Sequence, residues 1–455
     1  MAKLFGTDGI RGEAGQFPLD PKTVRAVGAS LARHLAERAG GRSPRILIGR
    51  DTRESGPWLE QALIAGVREA GAEIRSAEVI TTPGVAYLTR TLPADAGVVI
   101  SASHNPYHDN GIKIFEPSGR KLEDTVERQI EADIVGSASI DAHETATQPA
   151  SSNDSAELKS LYMDYLANDV GRDLSLAKLT LVVDCANGAA YEIAPEVFRR
   201  LGARIIAIND HPDGRNINLN CGSLHIEDLQ KRVVAERADL GVAFDGDADR
   251  ALFVGAAGEF VDGDATLWVL ANYLKERGEL EGDTVVATVM SNIGLELALR
   301  SRGINLTRTD VGDKYVLDEL LRSRAALGGE QSGHIIFPSI SLAGDGIITT
   351  ISLLRVMHEK QQSLAELTEG VHRYPQILVN VRVREKRPFE ELPSVQRQAQ
   401  AITQELGDHG RLLLRYSGTE PLARIMIEGQ DEREIKSYAN DLADLIRQEL
   451  DAVDS

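Results

Sequence analysis

The sequence predicts an α/β protein: three related α/β domains with mixed sheets and a smaller α+β C-terminal domain, arranged around a central cleft. Three observations carry that expectation. A strand, polar loop, helix and second strand recur three times along the chain. At 455 residues the chain exceeds what one ordinary core holds. After about residue 370 the pattern changes to short strands and two long helical stretches.

The first copy is RILIGRDTR (45–53), a helical stretch, then EAGAEIRSAEVI. The second is LTLVVDCANG (179–188), a helix, then RLGARIIAIND; the third is DTVVATVMSN (283–292), a helix, then SRGINLTRTDVGD. Each has a β-branched run and a Gly near the helix end, where a left-handed cap stops a helix. Strand–helix–strand implies a right-handed parallel crossover. The wide separation argues against a solenoid, whose period would be roughly 20–50 residues. GSASIDAHETATQPASSNDSAE (136–157) is poor in large apolar residues and reads as a connection between domains. Beyond 370, QILVNVRVRE, GRLLLRY and LARIMIEG read as strands, and LPSVQRQAQAITQEL and REIKSYANDLADLIRQEL as helices. The expected domains are 1–155, 156–257, 258–370 and 371–455.

Composition narrows the function. Hydrophobic residues make up 42% and charged residues 26%, as in a soluble globular enzyme. A formal charge of -19 argues against a nucleic-acid partner, and an anionic ligand then needs a local basic pocket. No apolar run approaches the ~18–20 residues that span a bilayer, and MAKLFGTDGIRG lacks the features of a signal peptide. Cys185 and Cys221 have no metal-ligand spacing, and Cys185, after LTLVVD, is expected as a buried thiol. A reducing, cytoplasmic setting follows.

Four loops carry chemistry. SASHNPYHDNGIK (101–113) follows the apolar run AGVVI and crowds serines, histidines, asparagines and Lys113 into one turn. A capped loop alone would use Ser, Asn and Pro in this way. In LGVAFDGDADRALFV (240–254) an apolar run ends in Asp245, Asp247 and Asp249, with Arg250 next. Three alternating carboxylates repel one another unless a cation neutralises them. An EF-hand would need Gly and Glu where Arg250 and Ala256 stand, so a hard divalent ion, most simply magnesium, fits better. ALGGEQSGHIIF (326–337) offers Glu330 and Ser332 between glycines, an acceptor and a donor suited to sugar hydroxyls. RYSGTEPLARIMIEG (415–429) gathers Arg415, Ser417, Thr419, Arg424 and the amide of Gly418, the donor set that a phosphate dianion needs.

The order FGTDGIRG, SASHNP, FDGDADR, GGEQSGH, RYSGTEP resembles the α-D-phosphohexomutase superfamily from end to end. The FGTDGIRG start and Gln331 are most similar to its bacterial phosphoglucosamine mutase branch. NLNCGSLHIEDL (218–229) departs from that branch, with Leu224 and Ile226 where Thr and Pro are usual. The resemblance implies Ser103 as a phosphorylated serine that also completes a magnesium site on Asp245, Asp247 and Asp249. It implies His104 beside the phosphoserine, Arg250 as a neutralising cation, and Arg11 and Lys113 as candidates for steering proton transfer. Ser101 stands two positions back in the same loop. The implied reaction interconverts glucosamine 6-phosphate and glucosamine 1-phosphate through a 1,6-bisphosphate, supplying UDP-N-acetylglucosamine synthesis. The implied primer is glucosamine 1,6-bisphosphate or glucose 1,6-bisphosphate, and the expected state is a monomer or homodimer with no nucleic-acid or membrane partner. The alternative within the superfamily is a phosphomannomutase/phosphoglucomutase. A hydrolase with Asp245 as nucleophile would leave Ser103 and the 415–424 loop without a role, and a non-catalytic sensor would not need Ser103 and the carboxylates intact.

Overall fold

The computed structural model describes residues 4–6, 8–136, 152–417 and 420–450. Four sheets organise them. The first combines β1 (Phe5–Gly6), β2 (Gly9–Glu13), β3 (Arg45–Arg50), β4 (Glu73–Val79), β5 (Ala96–Ile100) and β6 (Asp109–Phe115) in the order β1-β2-β6-β5-β3-β4. β3 runs parallel to β4 and β5, whereas β6 is antiparallel to β5 and β2, so the sheet is mixed. The second joins β7 (Thr180–Asp184), β8 (Arg204–Ile208), β9 (Leu240–Phe244), β10 (Ala251–Gly255) and β11 (Phe260–Val261) in the order β11-β10-β9-β7-β8. The third holds β12 (Thr284–Thr288), β13 (Asn305–Thr309), β14 (Leu327–Gly329) and β15 (Ile335–Ile336), and the last β16 (Gln376–Arg382), β17 (Arg411–Tyr416) and β18 (Leu422–Glu428). The expected mixed-sheet α/β architecture with a small α+β C-terminal part is what the chain adopts.

Each repeated copy forms as its pattern predicts. Helices Gly56–Glu69, Ile193–Arg200 and Ile293–Ser301 follow β3, β7 and β12, and Gly71, Gly202 and Gly303 beyond them have positive φ. The strands that precede the reactive loops, β5 (AGVVI) and β9 (LGVAF), are buried along their whole length. Such continuous apolar runs suit a central strand covered on both faces. Both run into loops at their carboxyl ends, where open α/β sheets place ligands. Residues 152–157, read from composition as connector, lie on a helix over Ser152–Asp164; residues 137–151 are outside the described residues.

The chain divides into two compact units, Met1–Met290 with Thr307–Glu369, and Ser291–Leu306 with Gly370–Ser455. In the first, the core of the N-terminal sheet packs Ile46, Ile48, Val98 and Ile100 against Val27, Leu31, Leu59 and Leu63. Helix Gly346–Lys360 starts on Asp345, whose carboxylate accepts from the amides of Ile347 and Ile348 and from the Tyr162 hydroxyl at 2.6 Å. In the second, helix Glu432–Glu449 buries Ile435, Leu442 and Ile446 among Ile425, Ile427, Val395 and Ile402. The start of helix Ile293–Ser301 belongs here because the buried Glu428 carboxylate accepts from the Ile293 amide and the Asn292 side chain. Among the described residues, no helix is long and apolar enough to cross a membrane. Cys185 and Cys221 are both free and buried.

Candidate active site

β5 ends at Ile100, and Ser101 does not continue it. On a persisting strand Ser101 and Ser103, two apart, would share a face; because the chain turns at once, they take different partners. The Ser101 hydroxyl donates to Asp51 at 2.7 Å and accepts from the Ser103 amide at 2.9 Å, which makes it a brace for the turn. Ser103 itself sits at φ 52, a left-handed conformation uncommon for a residue with a side chain. Its hydroxyl donates to Asp245 at 2.5 Å and lies 3.3 Å from Nδ1 of His104.

The loop is held from beneath by Arg53, a fully buried guanidinium paired with the equally buried Asp51 at 2.8 Å. It donates to the carbonyls of Ser103, Asn105, Pro106 and Asp109. A buried charge survives only when paired and saturated with hydrogen bonds, and here its donors template the turn. Asn218 adds a second donor to the carbonyls of Ser103 and Asn105.

The metal loop joins β9 to β10 as a hairpin in which Phe244 pairs with Ala251. Thr82 pins it, donating its amide to the Asp247 carbonyl and its hydroxyl to the Asp247 carboxylate at 2.6 Å. Gly246 faces the serine loop so closely that a Cβ there would lie 2.5 Å from the Ser103 carbonyl oxygen. Asp245, Asp247 and Asp249 are all buried and place one carboxylate oxygen each within 4.8 Å of one another. Oδ1 of Asp247 and Oδ1 of Asp249 are buried without a hydrogen-bond partner among the described residues, the latter with only the longer ion pairs to His334 at 3.6 Å and Arg250 at 3.8 Å. Orphaned acceptors beside two other carboxylates fit a hard divalent cation, which would satisfy them.

Electrostatics say the same. Burial, then Asp249 and Asp247, push the Asp245 carboxyl well above the usual range. Burial also opposes ionisation of Asp249, but Lys113, His334 and Arg250 hold it well below. Without a divalent ion the three carboxylates cannot all be comfortably charged. Lys113 is buried and lies 2.9 Å from Asp247 and 3.4 Å from Asp249; burial lowers its pKa, but Asp247, Asp8 and Asp249 outweigh it and raise it. Arg250 is raised too, against the penalty of burial, by Asp245, Asp249 and Glu330. His104 goes the other way: burial, then Arg250 and Arg11, bring it to about 4. It is neutral at neutral pH.

Arg11, on β2 opposite Gly111, pairs with Asp8. Glu330 accepts from the Gly312 amide at 3.1 Å and from the Ser332 hydroxyl at 3.3 Å. His334 is buried, 3.6 Å from Asp249, and is raised to about 9 by Asp249, Asp313 and Glu330 despite burial. One unit thus brings together Ser103, His104, Lys113, Arg11, Arg250, the three aspartates, Glu330 and Ser332.

In the second unit, Arg415 on β17 pairs directly opposite Arg424 on β18. Two guanidiniums in that register are destabilising unless an anion joins them. Arg424 reaches Glu420 at 3.0 Å, and its Nε is buried without a partner among the described residues. Ser417 is buried, and its carbonyl accepts from Lys386 at 2.7 Å. Gly418 and Thr419 lie outside the described residues.

Sequence reasoning missed Asp51, Arg53, Thr82, Asp8, Lys121, His334 and Lys386. Asp51 and Arg53 stand in RDTR, Asp8 in FGTDGIRG and His334 in GGEQSGH, so a polar residue inside each motif was available as a signal. Thr82, Lys121 and Lys386 carry none.

Four family models cover most of the chain: phosphoglucomutase/phosphomannomutase alpha/beta/alpha domain I over 2–139, domain II over 160–258, domain III over 262–374 and the C-terminal domain over 378–445. A phosphoglucosamine mutase of Solibacter usitatus is 51% identical, over 99% of this chain and 100% of its own. One from Symbiobacterium thermophilum is 48% identical, over 99% and 100%. The solved structure of a phosphoglucomutase/phosphomannomutase family protein from Burkholderia thailandensis shares the fold with a TM-score of 0.79, at 23% identity over 98% of this chain and 97% of the other.

Proposed function

The chain belongs to the phosphoglucosamine mutases of the phosphoglucomutase/phosphomannomutase family, and from that premise we propose how its residues carry the reaction. It is an isomerase, an intramolecular phosphotransferase that interconverts glucosamine 6-phosphate and glucosamine 1-phosphate. Ser103 carries the phosphoryl group. In the forward direction the P–Oγ bond of phospho-Ser103 breaks as a bond forms to the C1 hydroxyl oxygen of glucosamine 6-phosphate, and that hydroxyl loses its proton. The resulting 1,6-bisphosphate turns over, and its 6-phosphoryl returns to Oγ. Priming of Ser103 by glucosamine 1,6-bisphosphate or glucose 1,6-bisphosphate belongs to the same proposal.

Asp245, Asp247 and Asp249, with an oxygen of the phosphorylated Ser103, would hold one magnesium ion. Bound there, the ion offsets the charge of phosphoserine and carboxylates and of the phosphoryl group in transfer. Lys113, held against Asp247 and Asp249, and Arg11, paired with Asp8, supply positive charge and are the candidates for steering proton transfer. His104, neutral, accepts or donates a hydrogen bond without adding charge. Arg53 fixes the carbonyls of the turn, so that Oγ keeps its aim through both transfers. Glu330 and Ser332 read sugar hydroxyls, and Arg415, Ser417, Gly418, Thr419 and Arg424 grip the phosphate that is not reacting. The four domains 1–155, 156–257, 258–370 and 371–455, a cytoplasmic setting and a monomeric or homodimeric state complete the proposal.

The single observation behind the mechanism is the buried 2.5 Å contact between the Ser103 hydroxyl and Asp245, inside a cluster with two orphaned carboxylate oxygens. It puts a nucleophile within reach of the metal loop. Turnover of glucosamine 1-phosphate, glucose 1-phosphate and mannose 1-phosphate, each with trace bisphosphate, tests it. Preference for the glucosamine compound is expected; faster mannose or glucose turnover would move the chain to the phosphomannomutase/phosphoglucomutase alternative.

A further inference from the structure

Around the three aspartates the charges alternate in sign: Asp247, Lys113, Asp8, Lys121, Asp313, His334 and Asp249 follow one another at ion-pair distances. Lys121 stands midway in this series, three steps from Asp247 on one side and from Asp249 on the other. Asp8 divides its two oxygens, Oδ1 to Lys121 and Oδ2 to Arg11, with Lys113 at 3.4 Å from the same Oδ2. The ammonium of Lys121 is also 2.6 Å from Asp313, the first residue of helix Asp313–Ser323. Lys121 is thus shared between two carboxylates, Asp8 and Asp313.

We infer that Lys121 is a positioning residue, which orients Asp8 so that Asp8 in turn aims Lys113 and Arg11 at the phosphoryl group in transfer. The inference rests on the mutase reading above. A carboxylate gripped on both oxygens cannot rotate; released from Lys121, Asp8 is free to swing about its terminal torsion and carry its two other cations with it. An exposed pair would contribute little, but the Lys121 side chain is only 19% exposed and its partners 35% and 24%. The backbone there is secured independently, since Lys121 bridges Phe115. Loss of the amine therefore touches orientation, not the fold.

Turnover of glucosamine 6-phosphate by the wild-type chain with trace bisphosphate comes first; its absence would overturn the mutase reading itself. With the wild type active, Lys121→Met is expected to lower kcat about 10- to 100-fold while KM stays within about threefold, the cost of a misaimed group. Lys121→Arg should recover most of that loss. In an Asp8→Asn background, Lys121→Met should cost less than about twofold more, because the two act in series. Unchanged kcat, a rise in KM alone, or losses that multiply would each overturn the inference. Should Lys121→Met be too unstable to assay, Lys121→Cys alkylated with 2-bromoethylamine rebuilds an amine of similar reach, and the native cysteines are buried. Recovery of kcat on alkylation supports the role, and no recovery overturns it.

Discussion

The cluster around Ser103 and the ribbon carrying Arg415 and Arg424 arrange their charges differently. In the first, buried carboxylates alternate with Lys113, Lys121, His334 and Arg250, so that most charges have a partner already. The buried atoms left without a hydrogen-bond partner among the described residues are of both signs: one oxygen each of Asp247 and Asp249, Nε of Arg250 and Nε2 of His334. In the second, two arginines face each other across a strand pair and a buried Arg424 nitrogen has no partner among the described residues. Arg424 there meets the Glu420 carboxylate at 3.0 Å. The difference is one of pattern, a closed alternation of charges against like charges in register. Under the proposed mechanism the first region keeps groups aimed while charge moves, and the second gains energy when a phosphate arrives. Damage to the first should therefore appear in turnover, and damage to the second in affinity.

The sharpest break is Ser103→Ala. Intact-mass analysis should show a partial gain of one phosphate on the wild type, retained in Ser101→Ala and absent in Ser103→Ala together with turnover. A hydroxylamine-labile phosphate on Asp245 would instead favour a hydrolase.

Next comes Asp247→Asn, which leaves the position polar but removes a ligand charge. Turnover should fall by about two or more orders of magnitude, because the ion acts on charge developed in the transfer. Sugar-phosphate affinity, read by calorimetry, should change little. Excess chelator should mimic the variant in the wild type, and full activity under chelation would remove the ion from the scheme.

Arg424→Ala probes the other region. A charge-assisted contact is worth about 1.5–3 kcal/mol, so KM should rise about tenfold to a hundredfold. The rise should be similar for the 1-phosphate and the 6-phosphate, with kcat nearly unchanged. A loss confined to one isomer would mean that the ribbon serves one end of the sugar only.

The smallest effect lies in stability. Burial raises the Asp345 carboxyl from 3.8 to about 6. Folding thus takes up a proton in that window, so this group's contribution is fully present below about 4 and is lost as pH rises through about 6. Asp345→Asn keeps an acceptor for the helix amides but cannot titrate. Thermal melts between pH 4 and 6 should lose a downward slope worth at most about 3 kcal/mol. An unaltered slope would place the titration elsewhere.

How far the sequence disclosed this molecule follows the range of the forces involved. The strands and helices of the three copies were legible because burial on a sheet or a helix stripe leaves a period in the residues themselves. The aspartate triad was legible because its repulsion is local. Arg53 was not, since nothing in RDTR says that its donors end on carbonyls some fifty residues onward. Thr82 and Lys121 escaped for the same reason: each meets its partner only after separate sheets come together. The bracing role of Ser101 was not legible, because the hydrogen bond to Asp51 that turns the chain spans 50 residues. The helix starting at Ser152 was hidden by a composition poor in large side chains.

Gly246 sets a dimension. A Cβ on it would lie 2.5 Å from the Ser103 carbonyl oxygen, and a Cβ on Gly188 would strike its carbonyl oxygen at 2.4 Å, so three stretches of main chain approach closely here. The spacing from nucleophile to metal loop is therefore gauged by peptide units, whose size no substitution alters. Side chains around the cluster can drift in length over generations without moving that gauge. A methyl group at 246 would act as a shim, widening the gap at the one place where a misplacement of about 1 Å costs on the order of 100-fold in rate.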